Sequence, residues 1–216
     1  MNNDRISQQN NIEEQSDSTI NAKVKFSNGR IAQVLRKLEK FLGIPLSLRS
    51  ITGEVVCKTD YFYGPCSFIR GTDLGCKRCR KVYSSIEKKI LRRKVPYACL
   101  CYNGFLVFAV PLNFRGEMIG ILFGSQILPC NDEKDVQNFK KSFIKGSAKT
   151  YELQNNDEFI ASFDKLIKLD DNKQRVQFLS YLEEIGQHFV EMAIADKPWK
   201  VFLREIKQQK PEFGAF

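Results

Sequence analysis

No run of about eighteen apolar residues occurs in the sequence, so no transmembrane helix is expected. The N-terminus is polar and lacks the apolar stretch of a secretory signal. Together these absences predict a soluble, cytoplasmic chain with no membrane partner. Histidine is almost missing. The single His188 sits beside Phe189 in an apolar-rich helical segment, which suits a surface or satisfied structural role. A Cys–His nucleophile pair would need that one histidine to meet a cysteine across the fold. There is no phosphate-cradling P-loop, no GxGxxG and no HExxH. The chain therefore reads as something other than an enzyme. No internal repeat is present.

What is present is a chain of 216 residues, 43% of them hydrophobic, enough for one sizeable core. Seven cysteines stand at 57, 66, 76, 79, 99, 101 and 130. Without an export signal, free thiols, a metal site or redox chemistry outrank a disulfide scaffold. The formal net charge of +9 points towards an acidic partner, either nucleic acid or an acidic protein.

Residues 1–26 are rich in Asn, Gln, Ser, Asp and Glu and bury too little to offset ordering entropy, so a disordered arm is expected. A helix is predicted to start at Ser27 or Asn28 and to run through Ile31, Val34, Leu35, Leu38, Phe41 and Leu42 to Gly43. A hairpin follows, Ile44 to Ser50 and Glu54 to Lys58, turning at Thr52-Gly53. Tyr61 to Asp73 reads as a loop, and Leu74 to Lys94 as a helix capped by Asp73. Its inward face carries Cys76, Cys79, Val82, Tyr83, Ile86 and Ile90.

Three strands are then predicted: Pro96–Tyr102, Phe105–Phe114 and Glu117–Leu128, with Arg115-Gly116 as a turn. Helices are expected near 132–145, 157–169 and 173–195. The last has an apolar stripe of Val176, Leu179, Leu182, Ile185, Phe189 and Met192. Pro198 breaks the pattern before a short amphipathic piece from Trp199 to Ile206. The order implies an α+β fold, a mostly antiparallel PAS/GAF-like sheet flanked by helices, with a C-terminal helical extension. The expected units are the arm at 1–26, a domain at 27–150 and a helical segment at 151–216 that either dimerises or packs on the core. Such layouts enclose a small cavity between sheet and helices.

Cys76 and Cys79 share one face of a predicted helix, and Cys99 and Cys101 share one side of a predicted strand. With Cys66 in the preceding loop, five sulfurs converge if that helix packs on that sheet face. Three readings stay open. CxxC plus CxC offers candidate zinc ligands among Cys66, Cys76, Cys79, Cys99 and Cys101. The same thiols could be free groups at a ligand pocket. Cys76, beside Lys77 and Arg78 near a helix start, keeps a redox switch in play. Cys57 and Cys130 have no obvious partner and suit packing.

The segment from Phe41 to Leu128 resembles the PocR sensory domain of bacterial regulators. The matching pieces are "FLGIPLSLRSITGEVV", "CSFIRGTDLGCKRC" with Cys66, Arg70 and Cys79, "YACLCYNGFLVFAVPL" with Cys101, Gly104 and Pro111, and "GEMIGILFGSQIL" with Gly116, Gly120, Gly124 and Gln126. The resemblance implies sensing of a simple organic molecule, with Cys66, Arg70, Cys79 and Cys101 shaping the site. Gly124 and Gln126 would floor it, with Gly104 and Phe108 close by. Cys76 and Cys99 are additions to the family's three cysteines, and Tyr102 stands where the family often has His. No helix-turn-helix, kinase or cyclase-like output segment follows Leu128, so a signal would pass through an effector protein or a homodimer.

Phe62, Phe68, Phe105, Phe114 and Phe123 join Phe108 as candidates for lining a cavity. The predicted helix ending at Lys94 also carries a basic face: Lys77, Arg78, Arg80, Lys81, Lys88, Lys89, Arg92 and Arg93, opposed only by Glu87. It reads as a solvated face or as a surface for nucleic acid or an acidic protein. A zinc-stabilised scaffold that binds through this helix is the alternative to a sensor.

Overall fold

The computed structural model describes residues 28–58, 64–130, 132–169 and 172–195. The predicted arm, Ser27, Phe62, Pro198 and the piece from Trp199 to Ile206 lie outside them. Helix α1, Asn28–Leu42, ends where Gly43 turns left-handed at φ 68°. Strands β1, Leu46–Ser50, and β2, Val55–Lys58, form the first hairpin.

The segment expected to be a loop holds a short helix, α2, Pro65–Gly71. Gly64 and Pro65 read as turn punctuation, yet proline at the first helical position gives up only an N–H that a helix start leaves unpaired. Helix α3, Asp73–Arg93, is capped by Thr72 and not by Asp73. The Thr72 hydroxyl accepts the Gly75 N–H at 3.1 Å, and Asp73 adds favourable charge in the first turn.

Strands β3, Tyr97–Leu100, β4, Leu106–Phe114, and β5, Glu117–Leu128, follow. Arg115 (φ 50°) and Gly116 (φ 85°) make the two-residue turn whose twist matches the flanking strands. Helix α4, Glu133–Phe143, runs on through a π turn, Ile144–Ala148. Of the helix predicted at 157–169, only Asp157–Ala161 is α-helical (α5). It tightens into a 3₁₀ turn, Ser162–Lys165, and the chain then extends as β6, Ile167–Lys168. Helix α6, Asn172–Ala195, completes the described chain.

The sheet order is β2-β1-β5-β4-β3, all antiparallel, with β6 added parallel to the end of β5. This is an α+β architecture consistent with a PAS/GAF-like sensory domain. Helices α1 and α6 cover one face, where Leu35, Leu38, Leu48, Phe108, Val110, Leu182, Ile185 and Phe189 form the largest core. Helix α3 covers the other, its Tyr83, Ile86 and Ile90 packing on Val107, Ala109, Ile121 and Phe123. A third, aromatic cluster closes the end of the sheet through Phe105, Phe143, Phe159 and Phe163.

The apolar stripe of α6 is buried against β4 through the predicted Leu182, Ile185 and Phe189, with Leu179 packed beside them. Phe178, Tyr181 and Val190 face the core, whereas Val176 is 63% exposed.

Candidate functional site

Helix α2 places Cys66 and Arg70 one turn apart, so both lie on one face. Helix α3 does the same for Cys79 and Tyr83, with Val82 beside them. Cys101 enters from the tight turn between β3 and β4. Its carbonyl accepts the Gly104 N–H at 3.0 Å, and its N–H donates to the Phe105 carbonyl at 2.9 Å. Gly104 (φ 78°) makes that turn possible. These residues, with Phe105, Val107, Ser125 and Gln126, line a cavity of about 30 Å³ beneath α3. That volume is room for about two waters.

The floor depends on a β-bulge. Leu106 pairs with Ile127, but Phe108 pairs with Gly124, so Ser125 and Gln126 together oppose Val107. Plain alternation along β5 would turn Ser125 and Gln126 to opposite faces. The extra residue sits at Gln126, at φ 64°, and turns its side chain towards the α3 face. Beyond it the alternation resumes with the opposite phase, and Ile127 joins the α6-side core. Gln126 is 2% exposed, and neither its amide nitrogen nor its amide oxygen has a hydrogen-bond partner among the described residues. Each buried polar group left in that condition costs about 1–3 kcal/mol.

Of the predicted site residues, the structure brings Cys66, Arg70, Cys79, Cys101 and Gln126 around one space. It sets three elsewhere. Phe108 is fully buried on the α6 side, its ring 5.1 Å from that of Phe178. Gly124 pairs with it there, packed below Ile44 and Leu182. Gly104 abuts the Phe139 ring. Among the candidate thiol ligands, Cys76 and Cys99 do not line the cavity. Cys99 lies in open grooves beside β3. Among the described residues, no three His, Cys, Asp or Glu are placed to hold a metal ion together.

Burial pushes the Cys66 thiol well above its ordinary 9.0, and proximity to Cys101 and Cys79 adds to this, while Arg70 opposes it. Burial also raises Cys79, against Arg70, and Cys101, against the Asn103 N–H that donates to its sulfur at 3.4 Å. The cavity thus presents neutral thiols at physiological pH. Tyr83 is pushed up to about 12 by burial, and its hydroxyl donates to Ser125 Oγ at 3.1 Å.

Two polar networks brace the walls, and neither is evident from sequence spacing. Arg78 donates to the Tyr151 hydroxyl at 3.2 Å, and that hydroxyl donates to buried Asn103 at 2.9 Å. The Cys101 turn is thereby tied to the end of the α4 segment. On the far side of Tyr83, Arg49 of β1 stacks at 4.9 Å over the Tyr83 ring and is ion-paired with Glu87 of α3. Tyr83 lies one turn beyond Cys79, and Ser125 lies two residues beyond Phe123 on the same face of β5, so spacing carried a signal for both.

On the basic face, Lys77, Arg80, Lys81, Lys88, Arg92 and Arg93 are exposed. Arg78 is drawn into the Tyr151 network, and Lys89 donates to the Tyr97 hydroxyl at 2.6 Å. His188 is half-buried on α6, 3.9 Å from Glu191. No helix among the described residues is long and apolar enough to cross a membrane.

A family model described as the sensory domain found in PocR matches residues 26–194. The chain belongs to the PocR sensory-domain family. The PocR match runs on from the β5 strand through α6, so every wall of the cavity lies within it. No curated protein matches the chain. A PocR domain is a sensory module, and ligand binding with onward signalling is the business of such modules.

Proposed function

We propose that this PocR domain senses a small organic molecule in the cavity walled by Cys66, Arg70, Cys79, Cys101 and Gln126, and acts as a sensor, not a catalyst. The observation that carries the reading is the Gln126 amide, buried at a cavity shared with three neutral thiols and without a hydrogen-bond partner among the described residues. A donor and an acceptor held in that state favour a ligand that bears both. Neutral thiols and the apolar Val82, Phe105 and Val107 suit its carbon skeleton.

The cavity volume gives the reading a signalling consequence. At about 30 Å³, a molecule of several heavy atoms enters only if a wall moves. The walls belong to α2, α3 and the Cys101 turn, so binding and displacement of those elements are one event. An effector protein or a second copy would read that displacement. The test is a thermal-shift screen of dialysed protein against small alcohols, diols and carboxylic acids. At least one stabilises the wild type by several degrees and leaves Gln126→Met unshifted. If every compound leaves the wild type unmoved, or if Gln126→Met responds equally, the reading fails.

A further inference from the structure

The described sheet ends in β3, which pairs only with β4 among the described residues. The Cys101 N–H bonded to the Phe105 carbonyl fixes the phase of that ladder. Ala98 and Leu100, opposite Phe108 and Leu106, are the non-bonded pairs, so their own N–H and C=O groups point away from β4. Edges of this kind accept another strand unless charge or cover blocks them.

This edge is unusually apolar. Leu100 is 54% exposed, Tyr102 61%, and Val176 of the neighbouring α6 63%. Two grooves flank it. One, of about 270 Å³, lies towards α3 and is lined by Lys81, Ser85, Lys89, Tyr97 and Tyr102. The other, of about 280 Å³, lies towards α6 and is lined by Ala98, Leu100, Leu106, Val176 and Leu179, with Arg175 at its side.

We propose that β3 is a docking edge for an extended peptide segment of a partner protein in which acidic and apolar residues alternate. Strand addition supplies the backbone bonds, to Ala98 and Leu100. Alternation supplies the selectivity, because successive side chains of an added strand fall on opposite faces. Its carboxylates fall in the α3 groove, beside Lys81 and Lys89, with the exposed Lys77, Lys88 and Arg92 on the same side of the helix. Its apolar side chains fall on Leu100, Val176 and Leu179. Charge decides against a second copy of this chain, since pairing β3 with its own image would bring two basic α3 helices together. Apolar Leu100 and Val176 and a row of backbone groups decide against nucleic acid, whose phosphates would use none of them. The proposal is independent of whether the cavity takes a ligand.

The probe is a synthetic peptide of about eight residues alternating Glu and Val, titrated into the full chain. Binding slows amide exchange at Ala98 and Leu100. It weakens by about tenfold or more for Leu100→Asp and for Lys81→Glu, two exposed positions that leave the core intact. The same peptide with N-methylated amides does not bind, a control that leaves the protein unaltered. The inference is overturned if the Glu/Val peptide does not bind, if N-methylation has no effect, or if a Lys/Val peptide binds equally. It is also overturned if duplex DNA binds and displaces it, or if sedimentation shows a dimer that Leu100→Asp dissociates.

Discussion

Replacing Gln126 by methionine separates a residue kept for binding from one kept for stability. The two side chains have similar volume, so the substitution opens no cavity and overpacks nothing. Both sit at φ 64°, so the backbone strain is unchanged. What disappears is a buried amide with an unpartnered donor and acceptor. At about 1–3 kcal/mol per unsatisfied group, a net stabilisation of about 2 kcal/mol follows for the unliganded protein. For a domain of this size that corresponds to an increase in Tm of about 6 °C, at roughly 3 °C per kcal/mol. Calorimetry on dialysed wild type and Gln126→Met measures it directly. A variant that is more stable yet deaf to ligand shows the trade between stability and function expected of a binding residue. A Tm that falls by several degrees would mean the amide is well bonded in the folded protein, and the reasoning from an unpartnered Gln126 would be refuted.

Three further outcomes follow from the same geometry. A Cβ at Gly75 would stand 2.0 Å from the Ile69 carbonyl oxygen, a backbone atom that cannot step aside. Gly75→Ala should therefore cost about 3 kcal/mol by chemical denaturation and disturb the α2–α3 corner that sets Cys66 against Cys79. Glu87→Gln leaves the largely buried Arg49 guanidinium without its counter-charge and should cost about 3 kcal/mol, whereas a double Arg49→Met, Glu87→Met variant should recover most of it. Because Cys66, Cys79 and Cys101 are raised above 9.0, the folded state holds protons that the unfolded chain has lost above that pH. Their contribution is complete below about pH 9 and is lost as pH rises through the folded values, so stability in urea falls as pH rises above about 9. Cys66→Ala makes that decline shallower; an unchanged slope would place the titrating groups elsewhere.

The fold was readable from the sequence to the extent that each element obeyed a local rule. Ile31 to Leu42 and Tyr83 to Ile90 keep helical spacing, and Arg115-Gly116 marks its turn. The continuous apolar run from Leu106 to Leu112 matches burial on both faces. Reading failed where a local rule was overridden. Pro65 starts a helix although it resembles loop punctuation. The α6 stripe holds from Leu182 to Phe189 but not at its start, where Phe178 and Tyr181 pack inward and Val176 stays at the β3 groove.

The site shows the same division. Helical spacing places Cys79 on the inward face of α3, whereas Cys66 and Arg70, read as loop residues, are reached only through the family resemblance; all three line the cavity. Gly124 and Gln126 look equivalent at an interval of two, but the bulge parts them, sending Gly124 to α6 and Gln126 to the cavity. No composition or period announces a bulge at Ser125-Gln126. The Arg78–Tyr151–Asn103 bridge spans positions whose proximity only the folded chain reveals.

The account rests on a ligand lodging among Cys66, Cys79, Cys101 and Gln126. Alkylation of the folded protein by N-ethylmaleimide, followed thiol by thiol by mass spectrometry with and without a stabilising compound, tests it most directly. Slower labelling of Cys66, Cys79 and Cys101 in the compound's presence, with Cys57 and Cys76 unaffected, is the predicted result. A compound that stabilises the protein yet leaves those three rates unchanged, or protects Cys57 instead, would contradict it.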